Sequence, residues 1–229
     1  MVRVDKGGNA RSEYPDTPLS VLHPLIFVMI PTDKREAVTS LWQLDQNLSQ
    51  QIRSVREPAL RVMRLLWWQE QLSAVAAGGT APAHPLIQAL ATTLDRQTLE
   101  RLVRLPEIWS DFVESEPLAL THIDTFAQER GSMLFSETAK LLGNHSEDAP
   151  RLHTVARYWG IADTAAHLSD PGLRSAAFDL LNSPAPQYRD APRALAGLYV
   201  LATARSRNRG AIKPLAEQMR LLRFSLIGT

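Results

Sequence analysis

The chain has 229 residues, a formal net charge of +1, 45% hydrophobic and 21% charged residues, and no cysteine. That is enough chain to bury a core. Disulfides, thiolate metal sites and cysteine nucleophiles are excluded, and no net field draws the chain to nucleic acid. The cations are 21 arginines against four lysines, Lys6, Lys34, Lys140 and Lys213, a bias towards planar, bidentate donors.

In chain order, residues 1–20, "MVRVDKGGNARSEYPDTPLS", are polar and interrupted by Gly and Pro, as expected of a flexible leader. The longest apolar run, "PLIFVMIP" (Pro24–Pro31), is too short to span a bilayer. No signal-peptide pattern precedes it, so a cytoplasmic location is expected. Thr32 and Asp33 followed by Glu36 predict a helix start. Val38, Leu41, Trp42, Leu44, Leu48 and Ile52 carry that helix towards Val55 at helical spacing.

Pro58 opens the next helix. There Leu60, Met63, Leu65, Leu66, Trp67, Trp68, Leu72 and Val75 leave it apolar around much of its circumference, the pattern of a central helix. "AAGGTAPAHP" (Ala76–Pro85) breaks the chain. Further helices are predicted at about 85–93, 95–104, 117–142, 149–168, 171–182, 190–206 and 211–227, with Gly143-Asn144 closing the longest. No β alternation, repeat or heptad register is present. The pattern predicts one all-α domain, residues 21–229.

Four segments in order carry a resemblance. They are "RLLWWQEQL" (Arg64–Leu72) after "REP", "HPLIQAL" (His84–Leu90), "FAQERGSMLFSETAKLLG" (Phe126–Gly143) and "ARYWGIADTAAHL" (Ala156–Leu168). Together they resemble the squalene/phytoene synthase family over roughly residues 24–228. The resemblance implies the isoprenoid synthase fold, a helix bundle around a deep apolar cavity. It also implies an activity: Mg²⁺-dependent joining of two prenyl diphosphates, with the metals held by aspartates at i and i+4 on facing helices.

Those aspartate pairs are absent. No two of the chain's aspartates lie four apart, and the stretch expected to hold the first motif reads Ser49-Gln50-Gln51-Ile52-Arg53. Asp163 and Asp170 are seven apart, too far to chelate as a pair. Ionising a diphosphate without its metals forfeits several kcal/mol of transition-state stabilisation per site, on the order of powers of ten in rate. "WQLDQNLSQQIRSVREPALRVMRLLWW" (Trp42–Trp68) is closer to a branch without Asp motifs that includes assembly factors for respiratory complex I. That resemblance implies a catalytically degenerate protein without a cofactor, binding a partner protein or a prenyl or lipid-like ligand, with at most peripheral contact to the inner membrane.

Arg53, Arg56 and Arg64 are candidates to hold an anionic headgroup, and Trp67 and Trp68 to line a ligand cavity. Against this stand ion pairing at a solvated face for the arginines and core packing for the tryptophans. The alternative is an active transferase with a remodelled Mg²⁺ site built from Asp45, Asp124 and Asp163. The histidines have no metal-ligand spacing, and Ser132 in "RGSML" lacks the setting of a hydrolase nucleophile.

Overall fold

The computed structural model describes residues 23–55, 57–144, 149–182, 191–210 and 214–227. Among them are eleven α-helices and no strand: α1 (Pro24–Val28), α2 (Arg35–Ser54), α3 (Pro58–Ala76), α4 (Pro85–Thr93), α5 (Arg96–Leu102), α6 (Arg104–Glu114), α7 (Leu120–Leu141), α8 (Ala149–His167), α9 (Pro171–Asp179), α10 (Arg193–Arg207) and α11 (Pro214–Ile227).

Helix ends follow local chemistry. Proline occupies the first turn of α1, α3, α4 and α9, where its missing N–H costs no hydrogen bond. Asp95 and Asp170 cap α5 and α9, each carboxylate accepting from the backbone N–H three residues on, at 2.7 and 2.6 Å. Gly143, at φ +76°, ends α7 in a Schellman motif: its N–H donates to Lys140 and that of Asn144 to Ala139.

Three expectations change. Thr32–Lys34 is a 3-10 turn, and α2 begins at Arg35 without a side-chain cap. More consequentially, α3 is not a central helix. Leu65, Trp68, Leu72, Val75 and Ala76 are buried, whereas Leu60, Met63, Leu66 and Trp67 face outward. The stretch between the predicted helices at 95–104 and 117–142 holds an additional helix, α6. Pro106 cannot donate a helical N–H, so it sits in the first turn of α6 and separates it from α5.

The core is one connected apolar cluster reaching from Ile26 to Leu221. Its tightest seam joins α7 and α8, where backbones approach through two glycines. A Cβ on Gly131 would overlap the carbonyl oxygen of Ala156, and one on Gly160 that of Ala127. This reciprocal pairing of glycine against backbone brings Arg130, beside Gly131, within reach of Asp163, one turn beyond Gly160.

Candidate functional site

Between α2, α6, α7 and α8 lies a cavity of about 530 Å³. Helix α2 runs from its floor to its rim. Trp42 and Asp45 are buried, Gln46 and Ser49 half-buried, and Gln50 and Arg53 exposed. Trp109 and Phe112 of α6, Phe126 of α7 and Trp159 of α8 supply aromatic walls. Thus Ser49, Gln50, Ile52 and Arg53, from the stretch standing where a first aspartate motif is expected, line the cavity towards its open end.

The floor is an ionic triad. Arg130 donates through Nε and Nη2 to the two oxygens of Asp45, at 2.8 and 2.6 Å, and through Nη1 to Oδ2 of Asp163 at 2.8 Å. The indole N–H of Trp109 adds a bond to Asp45 Oδ1 at 3.0 Å. All three charged residues are at most 4% exposed. The guanidinium carbon lies 5.0, 5.6 and 4.9 Å from the ring centroids of Trp109, Phe126 and Trp159, so aromatic faces stabilise the cation on sides the carboxylates leave open. Behind it, Trp42 packs edge-on to Trp159 and donates to Thr138 Oγ1 at 2.9 Å.

Burial alone disfavours every charge here, yet pairing prevails. Desolvation would raise the Asp163 carboxyl, but the Arg130 guanidinium outweighs it and holds the carboxyl down at about 2. Desolvation likewise opposes the Arg130 cation, and the two carboxylates overcome it, raising its pKa. His167 is lowered, first by burial. Its Nδ1 lies 2.7 Å from the Asp163 carbonyl oxygen. That oxygen can only accept, so Nδ1 carries the proton and Nε2 of the neutral ring is an acceptor. Nε2 of His167 and the hydroxyl of Thr164 are both buried without a partner, and both residues line the cavity.

These shifts set a pH dependence. A depressed carboxyl contributes stability that is present above its unfolded value, 3.8, and lost as pH falls towards about 2. A histidine held below its unfolded value of 6.5 also favours unfolding as pH drops, beginning near that value. Urea unfolding from pH 7 downward is therefore expected to show stability falling in two steps. His167→Gln should reduce the upper step, to which burial-lowered His23 also contributes, and Asp163→Asn should reduce the lower one.

The sequence-derived candidates separate. Asp45 and Asp163 converge on Arg130, whereas Asp124 pairs with Arg157 at 2.6 Å and does not line the cavity. Arg53 reaches the rim. Arg64 instead donates to Gln51 and Ser54, and with Trp67, Trp68 and His84 borders a separate notch of about 140 Å³. Trp68 is buried and meets His84 edge-on at 4.9 Å, while Trp67 is 40% exposed. Arg56 lies outside the described residues.

Residues 23–109 match the squalene/phytoene synthase family model. Over this segment, less than half of the chain, the protein is similar to squalene/phytoene synthases. No curated protein and no solved structure gives a match. The matched segment contains Asp45, Arg53, both adjacent tryptophans and Trp109, while Arg130 and Asp163 lie beyond it. The all-α architecture of the described residues is consistent with the isoprenoid synthase type. The donor set does not fit the Mg²⁺ that this family implies. Three of the four oxygens of Asp45 and Asp163 accept from Arg130, and among the described residues no three His, Asp or Glu side chains group as metal ligands.

Arg130 was not legible as a site residue from motif spacing, but its position carried a signal. It interrupts the apolar row Phe126–Leu134 on α7 at the i, i+4 register, and a cation there requires a buried partner.

Proposed function

We propose that this synthase-like protein is a non-catalytic binder of a lipid-like molecule with a long apolar body and a small polar end. The observation that carries this reading is the Arg130 guanidinium lodged between Asp45 and Asp163 on the floor of an aromatic cavity. The cation satisfies the carboxylates that a diphosphate-ionising site would use for metal. The aromatic walls favour an apolar occupant. The unpartnered His167 Nε2 and Thr164 hydroxyl favour an occupant bearing a hydroxyl, because each orphan group recovers a hydrogen bond on binding. Arg53 at the rim adds a cation near that polar end. By analogy with the branch it resembles, such a ligand-bound protein would serve a partner complex rather than a reaction.

Tryptophans 42, 109 and 159 all line the cavity, so intrinsic fluorescence reports on it. Titration with a prenyl alcohol is expected to quench saturably. Ser49→Trp, which pushes a half-buried side chain into the opening, should abolish that response while leaving the thermal midpoint little changed. Native mass spectrometry should find lipid retained on the purified chain. Mg²⁺-dependent release of pyrophosphate from farnesyl diphosphate would overturn the non-catalytic reading, and an unresponsive cavity would overturn the ligand.

A further inference from the structure

Helix α11 is held to the bundle by one face and presents a second, unrelated face outward. Glu217, Leu221 and Phe224 are buried. Glu217 pairs with Arg205 of α10 at 2.8 Å, and both are buried. Leu221 packs where Gly197 of α10 lets Ile26 of α1 come close. On the other side, Leu215, Met219, Leu222 and Leu226 are 69, 61, 40 and 80% exposed. At 3.6 residues per turn these four fall within about 60° of arc, opposite the buried face. They form a continuous apolar stripe that no described part of the chain covers.

The charges around the stripe have one sign. Arg220 and Arg223 are exposed on its flank, and Gln218 and Ser225 on the other side are neutral. Arg193 of α10 donates to the Ser225 carbonyl and adds a cation near the end of α11. Across α1, α10 and α11 the only acidic side chain is Glu217, which is consumed by Arg205. An apolar stripe with a cationic border and no exposed acid is complementary to a surface that is apolar beneath and anionic above. No described helix is long and apolar enough to cross a membrane, so the fit is to lying in the interface.

We infer that α11 is a membrane-docking helix that seats Leu215, Met219, Leu222 and Leu226 among the acyl chains of an anionic bilayer, with Arg220 and Arg223 on lipid phosphates. This surface is separate from the cavity and does not rest on what the cavity binds.

The full chain should sediment with vesicles of equal parts phosphatidylcholine and phosphatidylglycerol, several-fold less with phosphatidylcholine alone, and less again at high salt. Met219→Ser with Leu226→Ser should weaken binding on the order of tenfold. Arg220→Ala with Arg223→Ala should remove the preference for phosphatidylglycerol. All four positions are exposed, so thermal midpoints should stay close to the parent's, and Ser49→Trp should leave sedimentation intact. Failure to sediment, or sedimentation indifferent to both double variants, overturns the proposal. So does a concentration-dependent dimer abolished by Met219→Ser with Leu226→Ser, which would assign the stripe to a second copy of the chain.

Discussion

Arg130→Met is expected to cost about 3–5 kcal/mol of stability at pH 7, because it strands two buried carboxylates against each other without a cation. Their separation is then too small for both to stay ionised, and one takes up a proton. The variant should therefore become more stable as pH falls from 7 to 5, opposite in sign to the parent, which loses stability in that window as the unfolded chain's counterpart of the lowered His167 takes up its proton. Urea unfolding at the two pH values reads both the loss and the reversed slope. Arg130→Met combined with Asp45→Asn and Asp163→Asn should recover much of the loss, since no charge is left uncompensated. A stability indifferent to Arg130→Met would show that the triad is not the organising contact of the cavity floor.

The second large effect is expected at the α7–α8 seam. In a solvent-exposed helix Gly→Ala stabilises by up to about 1 kcal/mol. At Gly160 the sign should reverse, because the added methyl overlaps the Ala127 carbonyl and the helices must separate. Overpacking of this kind costs about 1–3 kcal/mol, and Gly160→Val should cost more. Gly131→Ala meets the Ala156 carbonyl in the same way. Thermal unfolding measures the loss. Separating α7 from α8 also lengthens the Arg130–Asp163 contact, so these variants should bind a prenyl alcohol poorly even where they still fold. A stabilising Gly160→Ala would mean that the helices sit farther apart than the seam described above.

Asp163 contributes to the acidic step below pH 4, and His167, together with half-buried His23, to the neutral step below pH 6.5. Asp163 and His167 lie in the Ala156–Leu168 segment that carries the family resemblance. Both depend on α8 presenting them beside α2 and α7, which joins the stability of the bundle to the chemistry of its cavity.

The features legible along the chain were local ones. Pro85, Asp95, Asp170 and Gly143 act on backbone groups a few residues away, so helix limits near them could be read directly. The missing i, i+4 aspartates were equally legible, because both members of such a pair would lie on one helix. The pairing of Asp163 with Arg130, 33 residues apart, was not. It exists because glycine at 131 and 160 lets α7 and α8 approach closely, and no local pattern states which helices meet.

The adjacent tryptophans show the same division. Trp67 and Trp68 are equivalent in propensity and size, and successive helical positions point about 100° apart. Only the packing of α3 on its neighbours decided that Trp68 is buried against His84 while Trp67 is left at the surface. Likewise, the outer apolar side chains of α11 became a surface only once Glu217, Leu221 and Phe224 had been committed to the core. Residue chemistry set what each helix can bury, and tertiary packing chose which face it does bury.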